Sequence, residues 1–114
     1  MKIFFYVVST LLTLTVPAFA VVTVSSPSSG ATVVSPVHYV ASAATTTCAK
    51  GVASMGIYVD NKLIYVVSGT KLNTEIALSV GAQHTVVEEW DLCGGATFTT
   101  IDLSAAGNAI SNGR

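Results

Sequence analysis

The sequence predicts an all-β domain, a two-sheet antiparallel Greek-key sandwich of about seven strands closed by one disulfide. Three observations lead there. Val, Thr, Ser and Ala dominate while charged residues make up only 10% of the chain, a bias toward pleated, half-buried surfaces and away from long helices. From Val21 onward, short apolar runs alternate with turn residues at the intervals of a sandwich, without the strand-then-helix rhythm of a parallel sheet. Two cysteines, Cys48 and Cys93, stand far apart behind an export-type leader.

The leader is read first because it sets the redox compartment. Lys2 supplies a positive start, Ile3 to Val16 an apolar stretch, and Pro17-Ala18-Phe19-Ala20 a small-x-small cleavage pattern. The apolar run is about fourteen residues, shorter than the roughly twenty that a membrane-spanning helix needs. Cleavage is therefore expected before Val21, leaving no membrane anchor and placing the product outside the cytosol, extracellular or periplasmic. There, two lone thiols in a small domain pair, so a Cys48–Cys93 bridge is expected. It closes a loop of about 45 residues, worth roughly 4 kcal/mol in the chain-entropy view. The expected organisation is a signal peptide over 1–20, a sandwich domain over 21–104 and a flexible, polar, glycine-containing tail over 105–114.

The strands follow in order. Val21 to Ser26 is a first strand, broken by Pro27-Ser28-Ser29-Gly30; Ala31 to Val34 resumes it until Pro36, and the prolines protect an edge. Val37 to Ala44 sets Val37, Tyr39, Ala41 and Ala43 on one face. Ser54 to Val59 and Lys62 to Val67 form a hairpin around Asp60-Asn61, residues that tolerate the positive φ of tight turns. Met55, Ile57 and Val59 share a face and Tyr58 points the other way. Leu72, Thr74, Ile76 and Leu78 alternate against Asn73, Glu75 and Ala77, a half-buried strand. Gln83 to Asp91 and Thr97 to Leu103 complete a final hairpin.

At this point a resemblance emerges. Val22-Thr23-Val24-Ser25-Ser26-Pro27 with Gly30-Ala31-Thr32-Val33, the Ile57-Tyr58-Val59-Asp60 hairpin and Trp90-Asp91-Leu92-Cys93-Gly94-Gly95 resemble the immunoglobulin-like modules of secreted and cell-surface bacterial proteins. The resemblance covers nearly all of the chain after the leader. It implies an immunoglobulin-like or fibronectin-III-like sandwich and a role as spacer, adhesin module or appendage; it does not name a ligand. Two departures stand out. The bridge joins two loops and clamps one end, where antibody domains pin their sheets through the centre. Similar modules also tend to place a small apolar residue where this chain has Glu89. Strand alternation puts either Glu89 (beside Thr85 and Val87) or Glu88 (between Val86 and Trp90) on the inner face, and the first register is preferred.

No catalytic constellation is found. Glu88 and Glu89 are adjacent, so in a strand they point to opposite faces and do not form an acid and base across one substrate. His38 and His84 have no acidic or cysteine neighbour in sequence and read as surface histidines. Nucleophile elbow, phosphate-binding glycine loop and metalloprotease helix are all missing. Two cysteines without a histidine pair do not suit zinc, and the loops carry no Asp-x-Asp cluster for calcium. No cofactor, no metal and no enzyme activity are expected. Five basic and six acidic residues, scattered singly for a net charge of −1, give no basic face for nucleic acid.

The feature that points to contact is aromatic. With Ile101 and Leu103 inward, Phe98 faces out; the preferred register turns Trp90 out as well, and Tyr58 lies outward on the strand expected beside it. Trp90 and Phe98 are expected as direct cross-strand partners. Such a pair has a local reading, a staple for its own hairpin, and a functional one, a face for a partner protein or a sugar ring. The expected role is a non-catalytic secreted structural or interaction module; the alternative is a small carbohydrate-binding or adhesive module using Tyr58, Trp90 and Phe98.

Overall fold

The computed structural model describes residues 19–107, so the stretch read as the body of a signal peptide and the last seven residues of the tail lie outside the described residues. Among the described residues eight strands form: β1 (Ala20–Ser26), β2 (Thr32–Val34), β3 (Val37–Thr45), β4 (Val52–Val59), β5 (Lys62–Ser68), β6 (Lys71–Ile76), β7 (Gly81–Asp91) and β8 (Ala96–Ala106). They make a three-stranded sheet, β1-β3-β6, and a five-stranded sheet, β2-β8-β7-β4-β5. Every pairing among the described residues is antiparallel except β2 with β8, which runs parallel.

Alternation decides which side of each strand meets the other sheet. On β3, Val37, Tyr39, Ala41 and Ala43 are buried; on β7, Gln83, Thr85, Val87 and Glu89; on β8, Ile101, Leu103 and Ala105. Met55 and Ile57 of β4 and Leu72 and Ile76 of β6 close the core between the sheets. Leu78, just past β6, is buried too, and its N–H donates to the Ser35 hydroxyl at 2.8 Å.

The turns follow from residues that accept left-handed backbone. Asp60 and Asn61 adopt φ of 49° and 69° at the β4–β5 hairpin, the conformation that short polar side chains tolerate best after glycine. The prolines divide the first edge: Pro27 follows β1 in the smaller sheet, and Pro36 follows β2, which has crossed to the larger one. That short parallel strand lies in the stretch read from sequence as a continuation of the first. At the other end, β8 continues through Ala106 with Ala105 buried, so the sandwich extends past the expected boundary at residue 104.

Polar contacts tie the sheets together through the core. The Tyr39 hydroxyl on β3 donates to Thr85 Oγ1 on β7 at 2.9 Å, and Thr85 in turn donates to the Ile101 carbonyl at 2.5 Å. Both polar groups are thereby satisfied where water does not reach. Burial raises the Tyr39 hydroxyl above the usual tyrosine range, with the Thr85 contact opposing it. A second tie runs from the Thr99 hydroxyl to the Val22 carbonyl at 2.8 Å.

Candidate contact surface

The outer face of the larger sheet is built by the even-numbered residues of β4, β7 and β8. Cross-strand register sets them in rows: Ser54, Trp90 and Ala96; then Gly56, Glu88 and Phe98; then Tyr58, Val86 and Thr100. On the edge strand β5, Val66 extends the middle row beside Gly56, and Leu63 the third beside Tyr58. Tyr58, Trp90 and Phe98 therefore share one outer face. Trp90 pairs with Ala96, however, and Phe98 with Glu88, which corrects the expected direct Trp90–Phe98 pair. The cause is the hairpin loop, where Asp91 N donates to the Gly95 carbonyl at 2.9 Å and so fixes the strand offset.

Trp90 does not stand free. Its indole crosses Gly56, the one position on β4 without a side chain to obstruct it, and approaches Tyr58 with ring centroids 6.4 Å apart and planes inclined by 54°. Phe98 stays 61% exposed, and Glu88 lies between it and Gly56 in the row. Desolvation, and then the nearby Glu88 carboxylate, push the Tyr58 hydroxyl above its ordinary range. The surface thus offers a half-covered indole, an open phenyl ring and a hydroxyl near a carboxylate. Those groups can bury apolar area and accept hydrogen bonds; they do not assemble an acid, base and nucleophile around one point.

On the opposite side of β7, Glu89 is fully buried, as the preferred register required. Among the described residues neither carboxylate oxygen has a hydrogen-bond partner; the Thr97 hydroxyl, on the residue facing it from β8, opposes the effect of burial without closing a bond. Burial comes first among the causes that raise its pKa above the normal glutamate range, and the negative charges of Asp91 and Glu88 act in the same direction.

The disulfide forms between Cys48 and Cys93, with Cα atoms 5.8 Å apart, and joins the loop after β3 to the loop after β7. It clamps one end of the sandwich. Asp91 shapes this end: its Oδ1 accepts from the backbone N–H of Cys93 at 2.9 Å and of Gly95 at 2.8 Å, and Gly94 supplies a φ of 93°. Ligand atoms of Cys48, Asp91 and Cys93 lie within 4.8 Å of one another, but both sulfurs are spent in the bridge, which leaves one carboxylate and no donor set for a metal.

The histidines are less isolated than their sequence neighbours imply. His84 Nδ1 meets Asp102 Oδ1 at 2.7 Å across the β7–β8 register, and His38 Nε2 meets Asn73 Oδ1 at 2.6 Å across β3–β6. Both pairs are exposed, and an open depression beside His84 is lined by Asp60, Gln83 and Asp102. Gly56 and Glu88 complete the contact surface, and Val66 borders it on the edge strand; the sequence reading weighs Glu88 as an acid or an inward residue and leaves Gly56 and Val66 aside. Of these only Gly56 carried a signal, a glycine inside a strand, which marks close approach of another group.

Two stacked sheets, this strand order and this connectivity define an immunoglobulin/fibronectin-III-like β-sandwich. Among solved structures, the chain is similar to the fibronectin(III)-like modules of Clostridium thermocellum CbhA, with a TM-score of 0.59 and 18% identity over 76% of this chain and 98% of that one. At that identity the likeness shows the fold. No protein-family model and no curated protein match the chain.

Proposed function

We propose that this chain is an exported, non-catalytic immunoglobulin-like module of the kind found in secreted and cell-surface bacterial proteins, acting through contact at the outer face of its larger sheet. The observation that carries the reading is Phe98, 61% exposed beside a Trp90 laid flat enough to cover Gly56. Aromatic area of this kind is enriched at interface anchors, and burying an exposed ring stabilises a complex without any change in the fold. A disulfide that clamps the sandwich suits an oxidising compartment, and the leader-like residues before Val21 point the same way.

A second reading has its own support. Glu88 and the Tyr58 hydroxyl stand beside the rings, so the face offers both a stacking surface and hydrogen-bond acceptors, the combination a sugar ring uses. Co-sedimentation with insoluble polysaccharides separates the two. Retention that Phe98→Ala abolishes supports the carbohydrate reading. Failure to sediment, with Phe98-dependent capture of a protein on immobilised module, supports the protein-contact reading. Binding that is indifferent to Phe98 contradicts both.

A further inference from the structure

The free edge of the larger sheet is unlike the other edges. β2 has three residues and ends before Pro36; β1 is bulged between Val24 and Ser26 and stops at Pro27; β6 carries Lys71 and Glu75. Each of these devices blunts an edge against strand addition. β5 is longer than β2 and carries neither charge nor proline over Leu63–Ser68. Val66 is 53% exposed, Leu63 and Ile64 each 42%. The one irregularity is a bulge against β4 at Ile64, leaving Tyr65 to Ser68 in regular register.

Backbone polarity fixes which groups are free. Gly69 N donates to the Ala53 carbonyl, so the opposed pairs Val67–Met55 and Tyr65–Ile57 are the hydrogen-bonded ones, and Val66 and Ser68 turn their N–H and C=O away from β4. Among the described residues these donors and acceptors are unpaired, on a strand whose middle, Leu63 to Val67, carries no charge.

We propose that β5 pairs antiparallel with β5 of a second copy of this chain, about a two-fold axis through Val66. In that register Val66 faces Val66 and exchanges both N–H···O bonds, and Ser68 faces Ile64; past Ser68 the chain leaves the edge, with the Thr70 carbonyl accepting from Ala43 N in the smaller sheet, so the pairing ends before Lys62 meets a residue of the other copy. No like charges oppose each other. The whole sequence carries a net charge of only −1, so two copies repel little. A closed two-fold contact uses the same edge on both partners and leaves no further edge of this type to propagate a fibre. It also aligns the two outer faces, since Val66 lies in the row of Gly56, Glu88 and Phe98. The edge therefore sets valency and the aromatic face sets what is bound; each acts without the other.

Sedimentation equilibrium of the disulfide-bonded chain, from micromolar to millimolar concentration, tests this. A monomer–dimer equilibrium is expected. Val66→Pro removes an N–H that β4 does not use, so an edge strand tolerates it, and it is expected to raise the dissociation constant ~100-fold or more while Trp90 fluorescence stays unchanged. If the proline variant does not fold, Val66→Lys sets two ammonium groups against each other at the axis and is expected to give the same loss. Val66→Cys is expected to form a covalent dimer, because hydrogen-bonded antiparallel pairs hold Cα atoms about 5.5 Å apart, within disulfide reach. A chain that stays monomeric throughout, or a dimer that the folded proline or lysine variant leaves intact, overturns the proposal. Neither outcome touches the aromatic-face reading, which Phe98→Ala tests separately.

Discussion

The indole of Trp90 fills the space that a side chain on Gly56 would need. A Cβ at residue 56 would stand 2.7 Å from Trp90 Cη2 and 2.8 Å from the Tyr65 carbonyl oxygen, both closer than carbon and its neighbours can approach. Gly56→Ala must therefore displace Trp90 or spread β4 from β5. The expected cost is about 1–3 kcal/mol, the range for an overpacked site, together with a red shift of Trp90 emission as the ring lifts into water. Urea denaturation and a fluorescence spectrum check both. An alanine variant with unchanged stability and emission would mean that the ring is not seated on residue 56.

Phe98 and Trp90 separate binding from folding. Phe98 is mostly exposed and pairs with Glu88, so Phe98→Ala is expected to change stability by no more than about 0.5 kcal/mol. Trp90→Ala uncovers Gly56 and loses the Tyr58 contact, so it is expected to lower stability by about 0.5–1.5 kcal/mol beyond the area it exposes. Thermal melts of the two variants give the comparison. Phe98 is thus the cleaner probe of association, since its loss does not disturb the strand beneath.

Glu89 makes stability depend on pH. Its folded pKa is raised by burial, so the folded state holds a proton that the unfolded chain has released once pH passes the ordinary glutamate value. Stability contributed by the protonated form is present below that value and is lost as pH rises toward the folded pKa. Glu89→Gln keeps the shape and cannot ionise. It is expected to raise the melting temperature at neutral pH, roughly 4–8 °C for each 1 kcal/mol, with the gain vanishing below about pH 4. Melting curves across that range check the sign; a loss at neutral pH would require a partner that stabilises the carboxylate.

The Tyr39–Thr85–Ile101 chain is expected to contribute as one buried hydrogen bond per link. Tyr39→Phe removes the first and leaves Thr85 still donating to Ile101, so the cost is about 0.5–1.5 kcal/mol. Thr85→Val removes both and leaves the Tyr39 hydroxyl buried without an acceptor, which is expected to cost more. Urea unfolding of the pair orders them.

Much of the core was legible because strand alternation is local. Val37, Tyr39 and Ala41, or Ile101 and Leu103, announce their inner face by spacing two residues apart, and the Asp60-Asn61 turn is written in its residue types. Glu89 was harder, since alternation alone permits Glu88 inside; Val87 and Thr85 decide it by being buried on the same face. The register between strands was not legible. Trp90 opposite Ala96, and His84 beside Asp102, depend on how Asp91 gathers the N–H groups of Cys93 and Gly95 into its loop, and spacing along one strand does not encode that offset. β2 escaped for a related reason: three residues show no period, and their partner, β8, is some seventy residues away in sequence.

The central claim is that the outer face carrying Tyr58, Trp90 and Phe98 is where this module makes contact, and the chain holds a single tryptophan, placed on that face. Acrylamide quenching of Trp90 fluorescence, measured with and without the polysaccharide or protein that the module retains, tests it most directly. The account predicts lower quenching and a blue-shifted emission on binding, with both changes lost in Phe98→Ala. Retention of the partner with quenching and emission unaltered would place the contact elsewhere and contradict the claim.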